Sequence, residues 1–293
     1  MTVRVEDLRA SSDRARRVRR ENTFLVIMWL ALALTLIALL MLLIDVFRVG
    51  LPRVSSDFLT GLPSRFPEKA GAKPAIFGSL WIIAICGAFA IPVGMGAAIY
   101  LEEYAGPGRL NRFIEVNIAN LAGIPSVIYG LLGLAVFVRL MAMGRSVLAG
   151  GLTLGLLVLP VITIAGREAL RAVPPSINEA ALALGATRWK AVSRQVVPAA
   201  LPGFMTGIIL AISRALGETA PLITMGALTY VTFVPSGFLD RFTALPIQVF
   251  NWTSRPQSEF AVTAAAGIVV LLVVLLAMNA TAVWLRNRFE QRW

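Results

Sequence analysis

The sequence predicts an all-α membrane protein that crosses the bilayer six times. Of its 293 residues, 57% are hydrophobic and 15% are charged, and the mean hydropathy is +0.77. The apolar residues gather in long runs, and about 20 apolar helical residues cross a hydrocarbon core about 30 Å thick. Lipid leaves backbone groups without water, and the runs lack the alternation of barrel strands. We therefore predict a helix for each run.

Six segments have the required length and composition. They lie at residues 24–44, 76–100, 117–138, 147–165, 201–225 and 263–285. The sequence divides into a basic cytoplasmic segment (1–23), a first helix with its outer loop (24–75), a membrane domain (76–285) and a cytoplasmic tail (286–293).

The first segment follows a basic stretch but does not have the features of a secretory signal. Arginines stand at positions 4, 9, 14, 16, 17, 19 and 20. The apolar run has about 21 residues, whereas a signal has about 7–15, and Leu42-Leu43-Ile44-Asp45 lacks the small residues of a cleavage site. We expect the segment to stay attached. A basic amphipathic stretch on the membrane surface is the competing interpretation of residues 1–20.

The distribution of lysine and arginine predicts the orientation. With the N-terminus in the cytoplasm, the inner segments hold 17 of these residues and the outer loops hold 9, as the positive-inside rule requires. Both termini are then cytoplasmic, in a multi-pass protein. The net charge of +11 is explained by this topology and not by nucleic-acid binding, because the basic residues are spread along the chain.

The residue types that usually carry catalysis are scarce. Histidine is absent and Cys86 is the only cysteine, so no disulfide framework, thiol motif or zinc motif is expected. The three lysines, at positions 69, 73 and 190, stand in no phosphate-binding Gly-Lys-Ser/Thr pattern. We expect no catalytic residue, metal or cofactor in this chain. Any ATP and magnesium would be bound by a partner.

A charged helical hairpin is predicted within residues 166–200. Pro174 and Pro175 end the preceding helix, and Ser176 with Glu179 has the Ser-x-x-Glu spacing of a capping box. An ordinary capped connection between membrane helices is the alternative. The cytoplasmic placement of the hairpin and its sharp boundaries favour a segment to which another protein binds.

The second half of this hairpin begins after a glycine. Gly185 is placed to end the first short helix in the left-handed conformation. Thr187 can cap a second helix that carries Arg188 and stops at Pro198, and Pro202 then opens the next membrane helix.

Arg214 and Glu218 are charged residues inside an apolar segment, four residues apart and so on one helix face. Placing either in lipid costs about 2.5–3.5 kcal/mol, so we expect both to face the protein interior or a water-filled path. A guanidinium offers a planar fork of donors to an oxyanion, and Glu218 would hold that group in position. A buried structural ion pair is the alternative.

Four further residues are weaker candidates. Arg167 and Arg171 are placed for an anion exit surface, although the positive-inside rule also explains them. Pro92 and Pro125 lie within predicted helices and either break them beside a substrate or make a packing kink.

Two other features suggest packing or membrane placement. Gly203 and Gly207 would let a neighbouring helix approach closely. Aromatic residues in the long outer loop are expected to form an interfacial belt: Phe233, Phe238, Phe242, Phe250, Trp252 and Phe260.

The hairpin resembles the EAA loop of ATP-binding-cassette importer permeases. The resemblance rests on Glu179-Ala180-Ala181, on Gly185 six residues after the glutamate, and on Pro198 thirteen residues after that glycine. The usual Ile-x-Leu-Pro ending is replaced, with Gln195 and Val197 at the isoleucine and leucine positions. The resemblance implies a type I importer permease fold in which this coupling loop (166–200) docks on an ATPase subunit. The implied coupling residues are Glu179, Ala180, Ala181, Gly185, Thr187, Arg188 and Pro198.

Further strings resemble the phosphate importer permeases. They are residues 77–80, 92–94, 98–104 and 124–131, and the string 214–222 is similar to the PstA type. The similarity runs from about residue 76 to the C-terminus. It implies a permease of the bacterial inner membrane, embedded in the bilayer and without enzyme activity of its own. It also implies alternating access for phosphate, along a path that includes Arg214, Glu218 and Thr219. The implied partners are a PstC-like permease, two PstB-like ATPases and a PstS-like external binding protein.

Two other functions remain open from the sequence. A permease of the same type for sulfate or molybdate would share the coupling loop. A stand-alone ion-coupled transporter or channel would need no ATPase. A membrane enzyme is the weakest alternative, because no nucleophile or metal constellation is recognisable.

Overall fold

A computed structural model describes residues 5–289, with side-chain surroundings for residues 20–288. Over these residues the chain is helical, without a β-strand, and an isolated antiparallel bridge joins Ser146 to Arg241. The first six α-helices are α1 (Val5–Gly50), α2 (Ser56–Thr60), α3 (Lys73–Ile99), α4 (Arg109–Ala122), α5 (Ser126–Gly133) and α6 (Val147–Arg171). The next six are α7 (Pro175–Ala183), α8 (Arg188–Ala191), α9 (Val197–Gly217), α10 (Ala220–Met225), α11 (Leu245–Thr253) and α12 (Glu259–Phe289). Short π-helical turns follow α3, α5 and α8, at Tyr100–Tyr104, Leu134–Leu140 and Val192–Val196.

The chain separates into two units, one ending at Val49 and the other beginning at Gly50. Within the described residues the first unit consists of α1 up to Val49. The candidate membrane span that begins at Arg20 of this helix is 34 residues long and ends at Arg53, beyond the end of α1. Of the basic segment predicted at its start, Arg4 lies outside the described residues. Residues 290–293 of the predicted tail also lie outside them.

The prediction of an all-α protein with six membrane segments is confirmed. Between residues 5 and 289, five helices are long and apolar enough to cross a membrane, and a sixth span results if the bent pair α4 and α5 is taken as one. The predicted continuous helix 117–138 is wrong, because α4 and α5 meet at an angle of 105°. Pro125 lies at this break, directly before Ser126, which is the first helical residue of α5. Pro92 lies inside the uninterrupted α3 and does not break it.

The core of the second unit is built on close contact between α3 and α6, which run parallel. A Cβ on Gly151 of α6 would overlap Ile85, and a Cβ on Gly94 of α3 would overlap Ile162. The glycines therefore set how closely the two helices approach. α9 packs antiparallel on α6, with Gly203 against Ala169 and Gly207 against Ala165, and this confirms the predicted packing role of both α9 glycines.

The outer loop contributes to the core more than its sequence suggested. Phe242, Trp252 and Phe260 are fully buried, and the Trp252 ring lies 5.7 Å from the Phe58 ring. The interfacial belt predicted for them is wrong, since these side chains fill the space between the loop and the ends of the membrane helices. The other three belt residues, Phe233, Phe238 and Phe250, are exposed.

Candidate transport path and coupling loop

Arg214 and Glu218 form an ion pair at the end of α9. The Arg214 Nε atom donates a hydrogen bond to Glu218 Oε1 at 3.1 Å. The helix ends at Gly217, and Glu218 has an extended backbone with φ −75° and ψ 121°. The carboxylate therefore reaches back to the guanidinium from just beyond the helix.

The predicted continuous helix 201–225 is wrong, because the chain breaks between α9 and α10. Gly217 has a low helix propensity. Pro221 lies in the first turn of α10, and its ring would clash with the carbonyl four residues earlier in a continuous helix. Glu218 and Thr219 form the connection. Non-helical backbone at membrane depth occurs where protein buries it or where it lines a water-filled cavity.

Arg214 belongs to an exposed stripe that follows one face of α9. The stripe consists of Gly203, Thr206, Leu210, Arg214 and Gly217, with spacings of three or four residues. A neighbouring face of the helix is buried and carries Phe204, Gly207, Ala211 and Ala215. The Arg214 side chain is 45% exposed, so this chain alone does not enclose it. An arginine facing lipid is unfavourable, and the stripe is therefore suited to face water or another subunit.

The packing of α9 on α6 gives the depth of Arg214. Gly207 contacts Ala165, which is two residues from Arg167 near the cytoplasmic end of α6 in the predicted orientation. Arg214 is seven residues further along α9, or about 10 Å at 1.5 Å per residue. This places the guanidinium well inside the membrane-spanning part of the chain.

The break before α5 lies beside the break after α9. A Cβ on Gly130 of α5 would overlap Thr224 and the Pro221 carbonyl of α10, so the two short helices are in contact. The Tyr129 hydroxyl donates to the Leu121 carbonyl at 2.8 Å and closes the bend between α4 and α5. Sequence reasoning missed Tyr129. The sequence feature that could have indicated it is a tyrosine four residues after Pro125, where its hydroxyl can reach backbone carbonyls that lose their helical partners at the bend.

The coupling loop forms the two short helices predicted for it. Gly185 has φ +83° and ends α7 in the left-handed conformation. Thr187 caps α8, since its side chain accepts a hydrogen bond from the Lys190 backbone N–H. The apolar side chains of Leu184 and Trp189 are 90% and 68% exposed. Such side chains at the tip of a polar loop are typical of a surface that another protein covers.

Three details of the predicted loop are wrong. Ser176 lies inside α7 and makes no capping bond, because Pro174 takes the N-cap position and Pro175 the first helical position. Pro198 does not stop the second short helix. It lies in the first turn of α9, where a missing N–H is tolerated, and helical backbone continues from Arg188 to Gly217. Pro202 does not open the next membrane helix, because it lies inside α9, which begins at Val197.

Arg188 connects the coupling loop to the end of α3. Its guanidinium donates a hydrogen bond to the Glu103 carbonyl and lies over the Tyr104 ring, 5.3 Å from the ring centre. Glu179 and Ala180 are exposed on α7, and Ala181 is half-buried.

Arg167 and Arg171 are paired with carboxylates. Arg167 contacts Glu102 at 3.2 Å and Glu115 at 2.9 Å. Arg171 contacts Glu102 at 2.8 Å and Glu168 at 3.2 Å. An anion leaving through this region would compete with these carboxylates for the guanidinium groups. The sequence did not indicate these partners, since Glu102 and Glu115 are more than 50 positions away from Arg167.

Comparison with known proteins identifies the family. The family model described as a binding-protein-dependent transport system inner membrane component matches residues 90–293. The phosphate transport system permease protein PstA 1 of Mycobacterium tuberculosis is 34% identical over 229 residues, 77% of this chain and 72% of the relative. The probable ABC transporter permease protein YqgI of Bacillus subtilis is 32% identical over 250 residues, 80% of this chain and 84% of the relative.

Solved structures share the fold. An inward-facing structure of the MetNI methionine ABC transporter has a TM-score of 0.61 and 17% identity, covering 74% of this chain and 95% of that one. A bacterial ABC transporter that imports alginate has a TM-score of 0.59 and 16% identity, covering 90% and 96%. At this identity the likeness concerns architecture alone. The family model and the sequence relatives place the chain in the family of binding-protein-dependent transport system inner membrane components and, within that family, among the PstA-type permeases.

Proposed function

We infer that this chain is the permease subunit of an ATP-driven importer of inorganic phosphate. The observation that carries the inference is Arg214, a permanent cation on the open face of a broken membrane helix. Relatives from two mycobacteria, 30% and 34% identical, are named phosphate transport system permease proteins PstA. An exposed cation at this depth is suited to an anionic cargo.

The geometry of Arg214 leaves its terminal nitrogens available. The bond to Glu218 uses Nε, and within the described residues no further hydrogen bond of this guanidinium is found. The two Nη atoms are then free to donate in parallel to two oxygens of a phosphate. Glu218, 18% exposed, fixes the guanidinium plane and adds a negative charge that keeps the anion from binding too tightly. Thr219 supplies a hydroxyl at the same break.

We propose that the motion of the ATPase subunits is transmitted to this chain through the coupling loop. ATPase subunits, two in the assembly, would cover Leu184 and Trp189 and bind ATP with magnesium. Their closure would move α7 and α8. The motion would pass to α9 because helical backbone continues from α8 into α9. It would also pass to α3, because Arg188 is bonded to the turn that follows α3. The exposed stripe of α9 would then open alternately to the two sides.

The remaining partners follow from the surfaces that this chain leaves open. A second, PstC-like permease would complete the path opposite the stripe. A PstS-like binding protein would deliver phosphate at the outer loops. We propose cytoplasmic termini in this arrangement, as the lysine and arginine count requires.

Phosphate uptake by proteoliposomes that contain the assembled importer tests the proposal. We expect Arg214→Ala to lower ATP-dependent uptake by about 30-fold or more, since one charge-assisted hydrogen bond is worth about 2 kcal/mol. Arg214→Lys keeps the charge without the fork and should retain part of the activity. Arg139→Ala, at another exposed arginine, is the control and should transport normally.

Three outcomes would contradict the proposal. Normal uptake by the Arg214→Ala importer would remove Arg214 from the path. Uptake of sulfate or molybdate in place of phosphate would assign another oxyanion. Uphill uptake by this chain without an ATPase would exclude the importer mechanism.

A further inference from the structure

Two polar contacts join α9 to α12 at matching positions. The Ser213 hydroxyl contacts the Asn279 side-chain amide, and the Arg286 guanidinium donates to Thr206 Oγ1 at 3.4 Å. The two α9 residues are seven positions apart, and so are the two α12 residues. Seven residues are about two helical turns, so both contacts lie on the same face of each antiparallel helix.

The Ser213 hydroxyl has two acceptors within reach. It donates to Asn279 Oδ1, and the Ile209 carbonyl of its own helix accepts from the same hydroxyl at 2.7 Å. A serine has a single proton to donate, so the two oxygens share it. Of the two contacts, the one with Asn279 joins α9 to α12.

These contacts fix the rotation of α9 beside the open stripe. Ser213 precedes Arg214, and consecutive side chains on a helix are 100° apart. Apolar surfaces of two membrane helices discriminate poorly between rotations, because the lipid is as apolar as the side chains themselves. A hydrogen bond inside the membrane does discriminate, since a rotation of α9 would take the Ser213 hydroxyl away from the Asn279 amide and leave that amide without its partner on α9.

We propose that Asn279, through Ser213, is the positioning residue that keeps Arg214 and the α9 stripe turned toward the path. This proposal rests on the proposed function, because it assumes that the stripe faces the path. Arg286 and Thr206 hold the same register two turns nearer the cytoplasmic end. Asn279 itself touches no cargo in this arrangement.

Cysteine labelling in the assembled importer tests the rotation directly. Leu210→Cys lies on the stripe, and Ile209→Cys lies one position away on the partly buried flank. Cys86 is buried and gives the common background. With a water-soluble thiol reagent, we expect Leu210→Cys to react about tenfold faster than Ile209→Cys, because only an exposed thiol ionises readily.

We expect the positioning variants to lower the ratio of the labelling rate of Leu210→Cys to that of Ile209→Cys. Ser213→Ala and Asn279→Leu should each reduce the ratio to about twofold and should lower the phosphate imported per ATP hydrolysed. Ser213→Thr keeps the hydroxyl, so it should preserve both values. That rescue separates the hydrogen bond from a loss of packing. If the importer that carries Asn279→Leu does not assemble, Ser213→Ala alone tests the positioning proposal.

The labelling and uptake measurements test the positioning proposal and the proposed function independently. An unchanged labelling ratio in Ser213→Ala would overturn the positioning role, and so would Ser213→Thr behaving like Ser213→Ala. No labelling of Leu210→Cys in the parent would show that the stripe does not face water, which also overturns it. If the cargo is not phosphate, the proposed function fails while the labelling ratio still responds to the Ser213 variants.

Discussion

Arg167 lies between two carboxylates from different elements, 3.2 Å from Glu102 and 2.9 Å from Glu115. Glu102 belongs to the π-helical turn after α3, and Glu115 belongs to α4. One guanidinium therefore ties three helices together at the end of the membrane domain that carries the coupling loop. The Arg167 side chain is only 16% exposed, so water screens these pairs less than it would on an open surface.

We expect Arg167→Ala to destabilise the membrane domain by about 2 kcal/mol, because it removes a mostly buried guanidinium from Glu115 and from Glu102, which then keeps only its pair with Arg171. Thermal unfolding of the purified protein in detergent measures the change. The matched control is Arg171→Ala, whose side chain is 49% exposed and which should lose less than about 1 kcal/mol. Equal losses in both variants would contradict a special role of the buried guanidinium.

Local patterns in the sequence were sufficient for the features that depend on neighbouring residues. The spacing of Arg214 and Glu218 predicted their pairing, and Gly185 and Thr187 predicted the boundaries between α7 and α8. Each of these features is decided within four residues along the chain.

Features that depend on distant residues could not be predicted in this way. Ser213 and Asn279 are 66 positions apart, and nothing in either local sequence indicates the other. Phe242, Trp252 and Phe260 look like interfacial aromatics by composition, but long-range packing buries them. The 105° angle at Pro125 also exceeds what a proline alone dictates. The Tyr129 hydroxyl, bonded to the Leu121 carbonyl across the bend, adds a contact that the proline does not supply.

The outer loop contains a turn that should respond to acid. The backbone N–H of Ser236, the Ser236 hydroxyl and the Gly237 N–H all donate to Asp240 Oδ2, at 2.8–2.9 Å. These bonds favour the ionised form and hold the pKa of Asp240 below its usual range. The carbonyl of the same residue accepts from Val147 N–H at 3.0 Å, so the turn fastens the loop to the start of α6.

A lowered pKa stabilises the turn at any pH above the usual aspartate range, and the stabilisation is lost as the pH falls through the lowered value. We expect the Gly237 amide to be protected from hydrogen exchange at neutral pH and to lose protection, after correction for the intrinsic rate, below about pH 4. Asp240→Asn should show low protection at both pH values. Retained protection in that variant would mean that the carboxylate is not what holds the turn.

The apolar tip of the coupling loop should bind the ATPase without supporting the fold. We expect Leu184→Ser to reduce co-purification of the ATPase while the unfolding temperature stays within about 2 °C, because an exposed side chain contributes little to stability. Leu239→Ser is the matched control, since Leu239 is an exposed leucine (66%) of the outer loop. Loss of the ATPase in both variants would indicate a general folding defect instead of a docking site.

Gly185 should be required for its backbone conformation and not for space. No atom lies within 4 Å of a Cβ built there, but φ is +83°. Gly185→Ala should therefore cost about 1–2 kcal/mol, the penalty of an L-residue in the left-handed region. The strain should shift the angle between α7 and α8 and lower phosphate uptake more than ATP hydrolysis. Gly96→Ala is the control, because Gly96 has equal space and lies within α3, where alanine favours the helix by up to about 1 kcal/mol. If Gly185→Ala transports as well as Gly96→Ala, the left-handed bend is not needed to transmit the motion of the ATPase.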